Sequence, residues 1–160
     1  MEEVLREFAI NLFQKAYQLQ KMGDLDNAVT LYKQSIKTFP TAEAHTFLGW
    51  TYRGQGKLDL AIEECLAAIQ VDPGFGHPYN DIGAYLIEKG KLIEAIPWLE
   101  KATGAPRFEN YHFPWYNLGR VYFNLEMLNR AKQCFDKAIA LKPDYTEARE
   151  ALRRLRSILQ

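Results

Sequence analysis

The chain has 160 residues, 48% apolar and 25% charged, which is one domain's worth of ordinary globular composition and excludes a disordered tail or a collagen-like fibre. Twenty basic residues balance twenty acidic ones, so there is no overall field to draw in nucleic acid or an anionic membrane. The opening MEEVLREF carries acids where a secretory signal carries lysine or arginine, no apolar run approaches the roughly 18 residues of a membrane span, and Cys65 and Cys134 form neither a CxxC pair nor a zinc knuckle, so the expectation is a soluble, cytoplasmic protein with no membrane insertion.

The same local frame then recurs along the chain. GDLDNA, GKLDLA, GKLIEA and EMLNRA place Ala28, Ala61, Ala95 and Ala131 at separations of 33, 34 and 36, and seven residues after each stands another small residue, Ser35, Ala68, Ala102 and Ala138. Upstream, Ala16 in the first copy is followed by Gly49, Gly83 and Gly119 in the next three; downstream, three copies close at Pro40, Pro73 and Pro143. Within a copy such as FLGWTYRGQGKLDLAIEECLAAI, apolar and small residues recur at steps of three and four, break at Gly56 and resume, which predicts a helix, a tight turn and a second helix. Gly23, Gly56 and Gly90 mark the turns. Small residues at Gly49, Ala61 and Ala68 allow close helix approach, with Phe47, Tyr52 and Leu58 filling the space around it. Pro78 and Pro114 fall where first helices of copies three and four should begin, a place that tolerates proline. The last segment puts Ala148, Leu152, Leu155 and Leu159 on one stripe and leaves Ala151 and Ile158 off it, the pattern of a helix that covers the open end of copy four.

These glycine, alanine, aromatic and proline slots at a period near 34 resemble the tetratricopeptide repeat. The resemblance implies an all-α, right-handed helical-hairpin solenoid of about nine helices, a single domain over 1–160 with repeats at about 9–41, 42–75, 76–111 and 112–145 and a capping helix at 146–160. Three positions depart from the family pattern: His45 replaces a large aromatic, Lys15 an apolar residue and Glu126 a turn glycine, each loosening its own copy.

The resemblance also implies a concave groove lined by the first helix of each pair. Its slots hold Phe13, Tyr17 and Gln20 in copy one and Thr46, Trp50 and Arg53 in copy two. Copy three supplies His77, Asn80, Asp81 and Ala84, and copy four Phe113, Tyr116, Asn117 and Arg120, with Phe123 beyond them. Trp50, Tyr17 and Tyr116 are the expected anchors, because buried aromatics and arginine most often dominate binding energy; packing inside the core is the alternative for any of them. Trp50 is placed on the groove side, opposite the packing of Phe47 and Tyr52. Some family members clamp chaperone C-terminal carboxylates with lysine, asparagine and arginine. The matching slots here do not form that clamp, and Asp81 would repel a carboxylate.

No motif for chemistry is present: GxGxxG, GxxxxGK[ST], GxSxG and HExxH are all absent, so the chain is read as non-catalytic, with no cofactor and no metal. His77 and Asp81 are four apart and would need a third ligand from another repeat; a solvated pair is the plainer alternative. Glu63 and Glu64 are read as outer-face charges. The stretch PRFENYHFPW is three residues longer than its counterpart, and its Phe108, Tyr111 and Phe113 either fold back onto copies three and four or form a lip of the groove. The functional expectation is an adaptor that binds a peptide segment of another protein, as a monomer or with weak self-association, and no nucleic acid. The alternatives are an assembly scaffold, with Glu2, Glu3 and Glu7 at one end of the chain and Arg149, Arg153, Arg154 and Arg156 at the other, or a dedicated chaperone for a secreted or complex subunit.

Overall fold

A computed structural model describes residues 1–160 and shows nine α-helices and no strand. They are α1 (Glu2–Lys21), α2 (Leu25–Thr38), α3 (Ala42–Gly54), α4 (Leu58–Val71), α5 (His77–Glu88), α6 (Leu92–Thr103), α7 (His112–Asn124), α8 (Leu128–Leu141) and α9 (Thr146–Leu159). They gather into two compact units, Met1–Pro78 and Tyr79–Gln160.

The turn within each pair is built the same way four times. Backbone bonds close from Gly23 to Gln20 and from Asp24 to Leu19, and the same two bonds recur at Gly56 and Lys57, Gly90 and Lys91, and Glu126 and Met127. This double closure needs a left-handed residue just past the helix end. Gly23, Gly56 and Gly90 supply it at φ of 85°, 78° and 78°, whereas Glu126 is forced to φ 61°. Thr41 caps α3 by accepting from the Ala44 amide at 3.0 Å, and Asp24 caps α2 by accepting from Asn27.

In the first unit α1 packs on α2 and α3 on α4, with α2 against α3. Ala16, Ala28, Tyr32, Leu48, Ala61, Cys65 and Ala68 are buried between them. The Ser35 hydroxyl donates to the Ala9 carbonyl at 2.7 Å, tying the end of α2 to the middle of α1. α1 begins seven residues before the first expected repeat, and its first turns leave Val4, Leu5 and Phe8 exposed. His45, the expected weak point of copy two, shares a 2.7 Å hydrogen bond with Glu64, which is half-buried; Glu64 is therefore a packing partner and not a merely wet outer charge.

In the second unit a Cβ on Gly83 would lie 2.3 Å from Leu99 and one on Gly119 would lie 2.4 Å from Phe135, so these pairs close only because the first helix has no side chain there. Pro78, the last residue of the first unit, and Pro114 do sit in first turns; Pro97, unremarked in the sequence pattern, lies inside α6 on its exposed side. The longer junction folds back: Phe108 is buried with Ala102 and Ala105, and the Tyr111 hydroxyl donates to the Ala105 carbonyl. The cap keeps Ala148, Leu152 and Leu155 buried, but Leu159 is 48% exposed because α9 ends there, while Ala151 packs partly against Phe135 and Leu155.

Glu126 is the one non-glycine residue held at positive φ. Glu126→Gly is expected to raise stability by about 0.5–1 kcal/mol, the left-handed cost of a Cβ less the extra freedom of an unfolded glycine, read as an increase in Tm at unchanged helicity. An unchanged or lower Tm would show that the turn carries no strain.

Candidate functional site

The residues expected to face the groove lie on α1, α3, α5 and α7. In the first unit they form an aromatic strip centred on Phe47. Its ring lies 5.0 Å from Phe13, 5.5 Å from Tyr17 and 4.4 Å from Trp50, and Trp50 is 6.1 Å from His77. The contacts are mostly edge-to-face, the arrangement that aromatic quadrupoles favour. Trp50 thus stands on Phe47 and not opposite it, which corrects the placement read from sequence. Tyr52, by contrast, is buried, as is Tyr32 behind the strip. Phe13 and Trp50 are half-buried and Tyr17 is 39% exposed, so the strip keeps its outer edges available.

The polar residues of this unit divide. Gln20 accepts a 2.6 Å bond from the Tyr32 hydroxyl, a phenol whose ionisation burial pushes strongly upward. Arg53 lies exposed in the last turn of α3. Thr46 departs from the expectation: it is 1% exposed and its hydroxyl donates to the Ala42 carbonyl at 2.8 Å, so its side chain serves helix packing.

In the second unit a chain of polar groups runs along the equivalent helices. The Asn117 amide donates to Asn80 Oδ1 at 3.0 Å, and Arg120 donates to Asn117 Oδ1 at 3.0 Å. Asn80, Asp81 and Asn117 are buried, Ala84 and Arg120 half-buried. Locked amides of this kind present fixed donors and acceptors at little further entropic cost. Arg120 also lies 5.9 Å from the Tyr116 ring. Tyr116 and Phe113 pack against Tyr145, at 5.2 and 6.0 Å, which makes them as much core as binding surface.

Beside Arg120 is a cavity of about 200 Å³, bounded by Tyr116, Phe123, Asn124, Ala151 and Arg154 and floored by Phe135. Arg154 was read from the sequence only as one of the basic residues at the end of the chain, and Asn124 was not singled out. The signal was present, since Arg154 follows Ala151 by one turn, but which neighbour α9 covers is a tertiary fact. No group of three or more histidine, cysteine, aspartate or glutamate side chains gathers in a metal-holding arrangement. Neither cysteine is in a disulfide and both are buried, and burial pushes the Cys134 thiol up to about 11.

His112, at the start of α7, is buried against Phe113 and Tyr145, with ring centroids at 4.2 and 5.1 Å, and its Nε2 has no hydrogen-bond partner. Burial, aided by Lys142 and opposed by Asp144, holds its pKa below the ordinary 6.5. The fold therefore favours the neutral ring: stability is complete above about pH 6.5 and is lost as pH falls below it towards the folded-state value. Melting temperatures from pH 7.5 to 5 should fall more steeply in the wild type than in His112→Gln; parallel profiles would contradict this.

Residues 13–74 and 113–145 each match the tetratricopeptide repeat family. Among curated proteins the chain is 25% identical over 130 residues to the tetratricopeptide repeat-containing protein trd-1 of Caenorhabditis elegans, covering 81% of this chain and 16% of that protein. It is 25% identical over 120 residues to the type IV pilus assembly protein PilF of Pseudomonas aeruginosa, covering 74% of this chain and 48% of PilF. The chain thus spans less than half the length of these two relatives. The solved structure of PilF matches with a TM-score of 0.86 at 21% identity, over 96% of this chain and 68% of that one. The first tetratricopeptide domain of Spaghetti (RPAP3), solved bound to the HSP90 peptide SRMEEVD, matches at 0.68 and 24% identity, over 74% of this chain and 93% of that one.

Proposed function

Because the chain belongs to the tetratricopeptide repeat family, we propose that it is a non-catalytic adaptor, one domain over 1–160, that holds a peptide segment of a partner protein on the first-helix faces of its repeats. The observation that carries the reading is the half-open aromatic strip on α1 and α3, Phe13, Tyr17, Phe47 and Trp50, which costs solvation while empty. In the second unit the Asn80, Asn117 and Arg120 chain offers amide and guanidinium groups to a peptide backbone or an acidic side chain. The Spaghetti domain, of the same fold, was solved with an HSP90 peptide; the slots here carry Asp81, which would repel a carboxylate, so a different ligand is proposed. Two buried cysteines outside any disulfide suit a reducing cytoplasm.

Affinity capture from source-cell lysate, followed by titration of the captured partner's peptides, tests the reading. Trp50→Ala should weaken binding of a segment held on the first unit, and Arg120→Ala of one held on the second, at least tenfold with helicity intact, since such anchors are worth about 1.4 kcal/mol or more. Binding that survives both substitutions sinks it.

A second reading, an assembly factor, has its own observation. The first turns of α1 expose Val4, Leu5 and Phe8 beside Glu2, Glu3 and Glu7, and α9 carries Arg149, Arg153, Arg154 and Arg156 with exposed Ile158. PilF, named for pilus assembly, is a relative. Light scattering over a concentration series should then show salt-sensitive self-association; a monomer at millimolar concentration removes this reading.

A further inference from the structure

The second unit carries another recess, outside the first-helix faces. It is an open cleft of about 670 Å³ whose floor is α7, with Trp115, Leu118 and Tyr122 at steps of three and four. Its two walls differ in sign. The α8 wall bears Arg130 and Lys137, and the α6 wall bears Glu100. The floor is the kind of aromatic and aliphatic surface that an amphipathic helix lays its apolar face against.

The charges on α8 identify what fits. Lys132 and Asp136 neutralise each other at 2.9 Å on the same helix. Arg130 and Lys137 have no carboxylate partner; instead Arg130 lies 5.4 Å from the Tyr122 ring and Lys137 5.4 Å from the Trp115 ring. Two cations are thus parked over the two rings that bound the floor. Seven residues of helix separate them by about 10.5 Å. An amphipathic helix with carboxylates seven residues apart presents the same spacing, with the apolar residues between them facing the floor.

We propose that this cleft is a second binding site of the chain, taking an acidic amphipathic helix whose two carboxylates meet Arg130 and Lys137 while its apolar side chains cover the half-buried Trp115 and Tyr122, which flank the buried Leu118. It uses none of the residues assigned to the first-helix faces, so the chain can hold a segment here independently of those faces. Glu100 on the opposite wall sets the direction, leaving the acids of the ligand only the α8 side.

The test uses a fluorescein-labelled 14-residue helical peptide with glutamates seven apart and leucines between them, the same peptide with glutamines, and the full chain. The glutamate peptide should bind, shift the Trp115 indole resonance and leave that of Trp50 in place; the glutamine peptide should bind at least tenfold more weakly. Arg130→Glu with Lys137→Glu should cost at least tenfold at unchanged helicity, whereas Trp50→Ala and Arg120→Ala should cost nothing, which separates this site from the adaptor reading. The proposal falls if neither peptide binds at 1 mM (roughly −4 kcal/mol), if both bind equally, or if Arg120→Ala removes binding. It also falls if sedimentation shows the cleft occupied by a second copy, as a dimer lost in the doubly reversed chain.

Discussion

The helix pairs of the second unit depend on the backbone of one helix lying directly against the side chains of the next. At Gly83 and Gly119 no side chain intervenes, and Leu99 and Phe135 fill the space a Cβ would need. That closeness makes the interior dense enough to hold the buried alanines Ala95, Ala102, Ala131 and Ala138, each of which contributes little area alone. It also sets which side chains are pushed outward. With the glycine and alanine stripe turned to the partner helix, the residues one turn away on α7 are half-buried, and they line two recesses of this unit.

The same economy explains how polar groups enter the first-helix faces. Asn80 and Asn117 are buried, yet Asn117 donates to Asn80 and in turn accepts from Arg120. A ligand that bonds to these groups meets donors already fixed in place. The aromatic strip of the first unit is organised differently, by rings around Phe47, and offers area and shape more than hydrogen-bonding groups. Tyr116 and Phe113 belong to neither pattern cleanly, because Tyr145 from the start of α9 holds both.

Relatives with the same architecture differ in their named roles, pilus assembly in one and a chaperone peptide in another, which is what a fold that provides surfaces and no reacting groups allows. Backbone likeness at 21% to 25% identity transfers the scaffold and leaves the ligand to be argued from the residues themselves.

Local sequence by itself determined the helices and their turns. The recurring alanines, the glycines at 49, 83 and 119, and the turn glycines act through steric rules that operate within a few residues, so nine helices and their pairing were readable before any contact was known. Only the tertiary structure decided which side of a ring is free. Phe47 became a hub, Trp50 stood on it, Thr46 turned inward to Ala42, Glu64 found His45, and Arg154 met Arg120 across a cavity. Each of these depends on residues tens of positions away, or on a rotamer chosen by crowding, and a periodicity of three and four residues carries information about a helix face but none about what lies across from it.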